Sequence, residues 1–186
     1  KTLGTLDIAA IQWLYGTNLN YAGEDNTYIL PTKNKPGVGW STIWDTGGID
    51  TIDGKDSKSS VTIDLRNANL GNNKRAGGSI SAVDGVMGGF IIAHDWDGKT
   101  VQQKPGICIV ENALGGPADD VIRGNYSNNK LVGGQGNDQL IGGNGNDTLI
   151  GGRGRDILKG GPGGDQFILS KGIVDEIEDF SFEDGD

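Results

Sequence analysis

The sequence of 186 residues holds one cysteine, one histidine, one methionine and five prolines, and aromatic residues make up only 6% of it. With Cys108 alone, no internal disulfide can form, so no disulfide framework holds the fold. Its neighbours Ile107, Ile109 and Val110 suggest a buried strand in which the thiol acts as a small apolar group. No apolar run approaches the roughly 18–20 residues that span a bilayer, and nothing resembles a secretory leader. Secretion would then need another route or a leader already removed. Positive charge is also scarce: 16 Lys and Arg stand against 25 Asp and Glu, a formal charge of −9. That balance argues against nucleic acid or an anionic membrane as partner.

Glycine, by contrast, takes 34 of 186 positions, about 18%, against a usual share of about 7%. Collagen would need it at every third position, and a disordered Gly/Ser linker would lack the regularly placed Leu, Ile and Val seen here. The glycines must therefore serve tight turns in an ordered, repetitive structure.

Residues 5–15 (TLDIAAIQWLY) read as one short helix. Thr5 can cap its first turn, Asp7 sits at the positive end of the dipole, and Gly16 suits the stop. Residues 17–110 read as β-structure with polar turns, for example the alternating run Val61–Leu65. Segments 31–39 and 84–106 are rich in Gly, Pro, Lys and Asp and read as loops, with 94–106 an exposed excursion.

From Gly115 to Ile168 the chain divides without a gap into six nonapeptides: GGPADDVIR, GNYSNNKLV, GGQGNDQLI, GGNGNDTLI, GGRGRDILK and GGPGGDQFI. The pattern G-G-x-G-x-D-x-U-x, with U large and apolar, is the known signature of calcium-binding β-helix repeats. Its last three residues make a short strand whose central side chain points inward, giving a column of Ile122, Leu131, Leu140, Leu149, Leu158 and Phe167. Its first six form a turn in which glycine permits backbone angles that other residues avoid. The sixth positions are Asp120, Asn129, Asp138, Asp147, Asp156 and Asp165. If two nonapeptides complete one coil, Asp120, Asp138 and Asp156 line one edge and Asn129, Asp147 and Asp165 the other. Carboxylates stacked at about one strand spacing, ~4.8 Å, repel unless a cation lies between them. Carboxylates with backbone carbonyls make a flexible all-oxygen site, which suits Ca²⁺ better than Mg²⁺ or zinc. One buried side chain per nine ordered residues is a thin core, so calcium binding should supply folding free energy. The fold class expected is therefore all-β: a parallel β-roll (β-solenoid) flanked by further strands, with one short N-terminal helix.

The nonapeptides, together with LDIAAIQWLYG (6–16), WDTGGIDTID (44–53) and ENALGG (111–116), resemble the C-terminal calcium-binding repeat domain of serralysin-like secreted zinc metalloproteases. Repeats of this kind also occur in lipases, epimerases, adhesins and toxins, and the DIAAIQ segment is what discriminates. The resemblance implies several Ca²⁺ ions. It assigns Asp45, Gly47, Gly48 and Asp50 to a site before the repeats, and Glu111 to the roll entrance. Ala22–Asn26 falls where the family completes the Asp45 site, with different residues. Within the repeats it assigns carbonyls of positions one to four and the sixth side chain. In the first two repeats these are Gly116, Ala118 and Asp120, then Asn125, Ser127 and Asn129. The third and fourth supply Gly133, Gly134, Gln135, Gly136 and Asp138, then Gly142, Gly143, Asn144, Gly145 and Asp147. The fifth and sixth supply Gly151, Gly152, Arg153, Gly154 and Asp156, then Gly160, Gly161, Gly163 and Asp165. The second repeat departs most from the pattern, and weaker calcium binding is expected there.

The family's protease uses H-E-x-x-H-x-x-G-x-x-H and a Met-turn, and neither is present: His94 is the one histidine. Zinc catalysis needs three protein ligands and an activated water, so this chain is expected to have no catalytic site and no zinc. The implied organisation is a linker helix (1–16) from an upstream protease domain, then the roll domain (17–186). The resemblance also implies an extracellular protein of a Gram-negative bacterium, exported by a type I system. Its export signal would lie beyond Asp186, so the chain would be a piece of a longer protein. An alternative is the same module in another exported protein: an adhesin, lipase or epimerase. His94 with Asp95 and Asp97 reads as a solvated loop rather than a metal site, and Trp40, Trp44 and Trp96 read as packing rather than a sugar platform. The acids of the tail, 169–186, read as solvated rather than as a glycosidase pair.

Overall fold

The computed structural model describes residues 22–36, 38–45, 47–68, 80–93, 108–170 and 174–186. The expected helix at 5–15, the excursion at 94–106, and His94 and Trp96 lie outside them.

Two sheets face each other. The first is a six-stranded parallel sheet, ordered β1 (Thr27–Ile29), β3 (Thr51–Asp53), β7 (Asn112–Leu114), β9 (Lys130–Gln135), β11 (Thr148–Arg153) and β13 (Gln166–Ile168). The second runs β14 (Glu176–Ile177), β12 (Ile157–Lys159), β10 (Gln139–Ile141), β8 (Val121–Arg123), β4 (Val61–Asp64), β5 (Ser81–Val83), β6 (Gly89–Ile92) and β2 (Trp40–Ile43). Successive nonapeptides alternate between sheets, so each strand pairs with the one eighteen residues on, for example Leu140 with Leu158 and Leu131 with Leu149. A parallel roll of this kind forms because each turn carries the chain across to the opposite sheet. The next coil then returns in the same direction.

The register produces two inward columns. One runs Tyr28, Ile52, Ala113, Leu131, Leu149, Phe167, and the other Ile63, Ile122, Leu140, Leu158, Ile177. Their central members are fully buried, while Phe167 at the far end is only partly covered and packs against Phe180. The roll therefore extends well before the repeats, since β1, β3, β4 and β7 belong to the same ladders. Only at β5 does the direction change: β5 pairs antiparallel with β4 and with β6, inserting a hairpin-like excursion at the margin of the second sheet.

Several expectations need correction. Residues 89–92, read as loop, form β6, because Phe90, Ile91 and Ile92 find a parallel partner in β2. Cys108 is buried as expected but stands in no strand; it precedes β7, with Sγ 3.4 Å from the Asp45 amide nitrogen. In the first sheet β9 and β11 are six residues long rather than three, running on into the glycines, while β13 keeps three. Trp44 packs against the core, in keeping with its structural reading.

Because each coil contributes one fully buried side chain per strand, truncating one should cost about 2–5 kcal/mol. Leu140→Ala is expected to lower unfolding free energy by that amount in saturating calcium. Gln139→Ala, one residue away on the outer face, should change it by about 0.5 kcal/mol or less. Urea titrations followed by circular dichroism check the contrast.

Candidate metal centre

The residue just before each strand holds the same place in every coil, and it is here that the acids collect. Along the second sheet the backbone N–H of one coil donates to the carboxylate of the next. Val61 donates to Asp120 Oδ1 (2.7 Å), Asp120 to Asp138 Oδ1 (2.8 Å), Asp138 to Asp156 Oδ1 (2.8 Å) and Asp156 to Asp175 Oδ1 (3.1 Å). Along the first sheet Asn129 donates to Asp147 Oδ1 (2.7 Å), Asp147 to Asp165 Oδ1 (2.9 Å) and Asp165 to Asp186 Oδ1 (2.8 Å). The two edges expected from the sequence are thus the two edges observed. Each ladder gains one acid at its end, Asp175 and Asp186, that sequence reasoning missed because the nonapeptide spacing lapses after Ile168.

One oxygen of each carboxylate is therefore bound to backbone. In Asp120 and Asp186 the second oxygen also accepts a backbone N–H, from Gly116 and Ser181. In the others it does not. Asp138, Asp147, Asp156, Asp165 and Asp175 each bury an Oδ2 that meets no hydrogen-bond donor. A buried anionic oxygen without a partner is costly, and Asp120, Asn125 and Asn129 are buried in the preceding turns. The first glycine of each repeat sits against this oxygen. A Cβ at Gly133, Gly142, Gly151 or Gly160 would overlap Oδ2 of Asp138, Asp147, Asp156 or Asp165. At Gly152 (φ +108) and Gly154 (φ +132) the backbone is left-handed, and a Cβ would also strike the carbonyls of Gly134 and Gly136 one coil earlier. Side chains are thereby kept out of the space around the orphaned oxygens, leaving carboxylate and carbonyl oxygens as its lining.

Burial pushes the Asp138 and Asp147 carboxyls up to about 7, opposed by the N–H groups that bind their Oδ1. The carboxyls of Asp120, Asp156 and Asp165 are raised for the same reason. Among the described residues no three His, Cys, Asp or Glu side chains lie close enough together to hold an ion by themselves. Backbone carbonyls must complete any site. Of the expected ones, Gly116, Arg153 and Gly160 already accept hydrogen bonds from Gln135, Gly136 and Gly143, which leaves one lone pair on each. The donor set is all oxygen, part charged and part carbonyl, and fits a hard cation of high coordination number. Calcium there would supply the positive charge that the orphaned Oδ2 atoms lack.

The first two repeats differ from the other four. Ala118, Asn125 and Ser127 are not left-handed, and neither is Gly116. In the second repeat, Asn129 Oδ1 accepts the Asn125 N–H (2.8 Å) and Asn125 Oδ1 accepts the Ser127 N–H (2.8 Å). Amides here satisfy themselves without a cation.

The site before the repeats is also assembled. Asp45 and Asp50 are fully buried. The Tyr28 hydroxyl donates to Asp45 Oδ2 (2.5 Å), the Gly47 N–H to Asp45 Oδ1 (3.3 Å), and the Asp50 N–H to Glu111 Oε2 (2.8 Å). Asp50 Oδ1 accepts from Asn26 N–H (2.8 Å), while its Oδ2 has no donor. Burial, with the negative charges of Asp45 and Glu111 added, raises the Asp50 carboxyl to about 7. Burial likewise raises Glu111, and Tyr28, whose hydroxyl bonds to Asp45. At Gly48 (φ +107) a Cβ would overlap the Glu24 carbonyl, so Ala22–Asn26 does close against Gly47 and Gly48. Asp25, within that segment, joins by accepting the Ile49 N–H at Oδ1 (2.9 Å).

The repeat family described as RTX calcium-binding nonapeptide repeat matches residues 114–149 and 141–173. The chain carries calcium-binding RTX repeats. It is similar to metallopeptidase AprA of Pseudomonas marginalis, 36% identical over 133 residues, which is 66% of this chain and 23% of the relative. Serralysin of Proteus mirabilis is 34% identical over 136 residues (67% and 23%), and serralysin B of Dickeya chrysanthemi 37% over 126 residues (62% and 21%). The match thus spans about a quarter of the length of these relatives.

Two predictions follow from the carboxylates. Where a carboxyl is raised in the fold, the stabilising state is the protonated one. Its contribution is complete below the ordinary carboxylate range near 4 and disappears as pH rises through about 7. The calcium-free RTX domain should therefore melt higher at pH 5 than at pH 7.5, whereas its calcium affinity should fall on acidification as protons compete. Thermal melts in chelator and calcium titrations at the two pH values check both signs. Asp138→Asn keeps an Oδ1 acceptor and removes the buried charge. It should raise the calcium-free melting temperature at pH 7.5 yet weaken calcium binding about tenfold or more; loss of stability in both conditions would contradict this assignment.

Proposed function

We propose that the chain is the non-catalytic, calcium-folded part of a serralysin-like extracellular zinc metalloprotease, and that it serves secretion, folding and stabilisation of that enzyme. The observation that carries the reading is the row of buried Oδ2 atoms without donors, repeated every eighteen residues through Asp138 and Asp156 and through Asp147 and Asp165. A fold built on unpaired buried carboxylates is held weakly at neutral pH without a cation. In calcium-poor cytosol such a segment stays loose, which suits passage through a type I export system. In extracellular calcium, binding free energy becomes folding free energy. Sites of this extracellular kind bind with dissociation constants of about 10⁻⁴–10⁻³ M.

In this reading residues 1–16 lead from a protease domain and 17–186 form the roll. The metal ligands are those assigned above: Asp45, Asp50, Glu111 and the turn oxygens of the repeats. Carriage on a protease is supported by the similarity to AprA and the serralysins, each matched over about a quarter of its length. The test uses the whole natural protein. Residues upstream of Lys1 should carry a zinc motif, and proteolytic activity should decay several-fold faster at 37 °C in chelator plus added zinc than in 5 mM calcium. An upstream adhesin, lipase or epimerase sequence would overturn the assignment to a protease, and equal half-lives would overturn the stabilising role.

A further inference from the structure

The third position of the six turns holds Pro117, Tyr126, Gln135, Asn144, Arg153 and Pro162. Asn144 is followed by Gly145, the one Asn-Gly step in the sequence. At such a step no Cβ shields the nitrogen after the asparagine, so the main chain can approach the side-chain amide closely.

Asn144 also differs from the other turn asparagines in what holds it. Asn137 Oδ1 accepts the Arg155 N–H (2.9 Å), and Asn146 Oδ1 accepts the Gly164 N–H (2.9 Å). Both side chains are thus tied to the next coil, and an aspartate follows each of them. Asn128 Oδ1 likewise accepts the Asn146 N–H (2.8 Å), while Asn125 and Asn129 are buried and bonded. Asn144 is exposed, and among the described residues nothing bonds its side chain. Its main chain, by contrast, is clamped on both sides. The Asn144 N–H donates to the Asn125 carbonyl of the coil before (3.0 Å), and the Gly145 N–H to the Pro162 carbonyl of the coil after (3.1 Å). Gly145 is held at φ +106, with the Ser127 carbonyl where a Cβ would stand.

We infer that Asn144 is a deamidation site, shielded by the ordered coils and opened when the roll loosens without calcium. The gating rests on the calcium reading above. In the reaction the Gly145 nitrogen gives up its proton and bonds to Asn144 Cγ. The bond from Cγ to Nδ2 breaks, ammonia leaves with a proton, and a cyclic imide remains. Water then opens the imide. Breaking the bond from nitrogen to Cγ leaves aspartate, and breaking the bond from nitrogen to the main-chain carbonyl carbon leaves isoaspartate. Water is the sole co-reactant, and nothing is oxidised or reduced. The Gly145 nitrogen cannot swing to Cγ while its N–H lies on the Pro162 carbonyl. Separation of the coils frees it, so the rate follows the open population. Isoaspartate lengthens the main chain by one methylene at a turn position whose carbonyl is assigned to calcium. A converted chain should therefore fail to rebuild that turn.

The test incubates the full chain at neutral pH and 37 °C, in chelator and in saturating calcium. Peptide mass spectrometry should show acid at 144 accumulating at least about tenfold faster in chelator, and ahead of Asn137 and Asn146. Asn144→Gln gives the fourth repeat the Gln-Gly step that Gln135 and Gly136 already form in the third. Each chain is then returned to calcium and compared with its own unincubated sample. The natural chain should lose recoverable β-signal in step with conversion, and Asn144→Gln should not. Equal rates in both conditions, with the fold lost in chelator, would overturn the shielding. Faster conversion at Asn137 or Asn146, or none at 144 in an unfolded chain, would overturn the site. Full recovery of the converted chain would overturn its effect on folding. A β-signal indifferent to calcium would instead tell against the calcium reading, and the same comparison with and without urea would still test the site.

Discussion

A carboxylate with one oxygen on a backbone N–H and the other buried without a donor is the arrangement on which the rest of this roll depends. The first contact fixes the stacking of coils: each Asp before a strand reaches the same position one coil earlier, and the sheets follow in register. The second leaves an unsatisfied negative charge in a space lined by glycine. Glycine at the first position gives that oxygen room. Left-handed glycine at the second and fourth lets the turn close one coil from its neighbour. The apolar columns then run where the strands place them. Sequence period, turn shape and metal preference are consequences of one geometry.

The same geometry explains why a protein of this size can keep so slender a core. Hydrophobic burial along two columns is steady but modest per residue, and each glycine-rich turn is expensive to order. At low pH protons neutralise the raised carboxyls, and at neutral pH a divalent cation takes over that role. The roll is thus balanced between ordered and loose by solution conditions rather than by further packing. Its ends are treated differently. At one end Tyr28, Asp45, Asp50 and Glu111 form a compact polar cluster. At the other, Phe167, Phe180 and the exposed Phe182 gather over the last coil.

Strict periodicity makes part of this legible in the sequence. The six sixth-position residues and the six inward side chains were readable because nine residues per half-coil leaves no freedom in where they fall. The pairing of Asp120 with Asp138 and of Asp147 with Asp165 followed from the same count. What escaped was whatever departs from it. Asp175 and Asp186 join the ladders nineteen and twenty-one residues after Asp156 and Asp165, spacings that no repeat announces. The membership of β1, β3 and β4 in the roll depends on long loops, with Asp50 and Glu111 brought together across sixty-one residues. Strand β6 was hidden by the glycines around it, since its partner β2 lies some fifty residues away.

The most direct test of the central claim is anomalous diffraction from crystals grown in calcium, collected where calcium scatters and protein oxygen does not. The account predicts peaks within about 2.3–2.6 Å of Oδ2 of Asp138, Asp147, Asp156 and Asp165, with turn carbonyls completing each shell. An intact roll with no peaks beside those oxygens would contradict it, since the buried charges would then need some other partner.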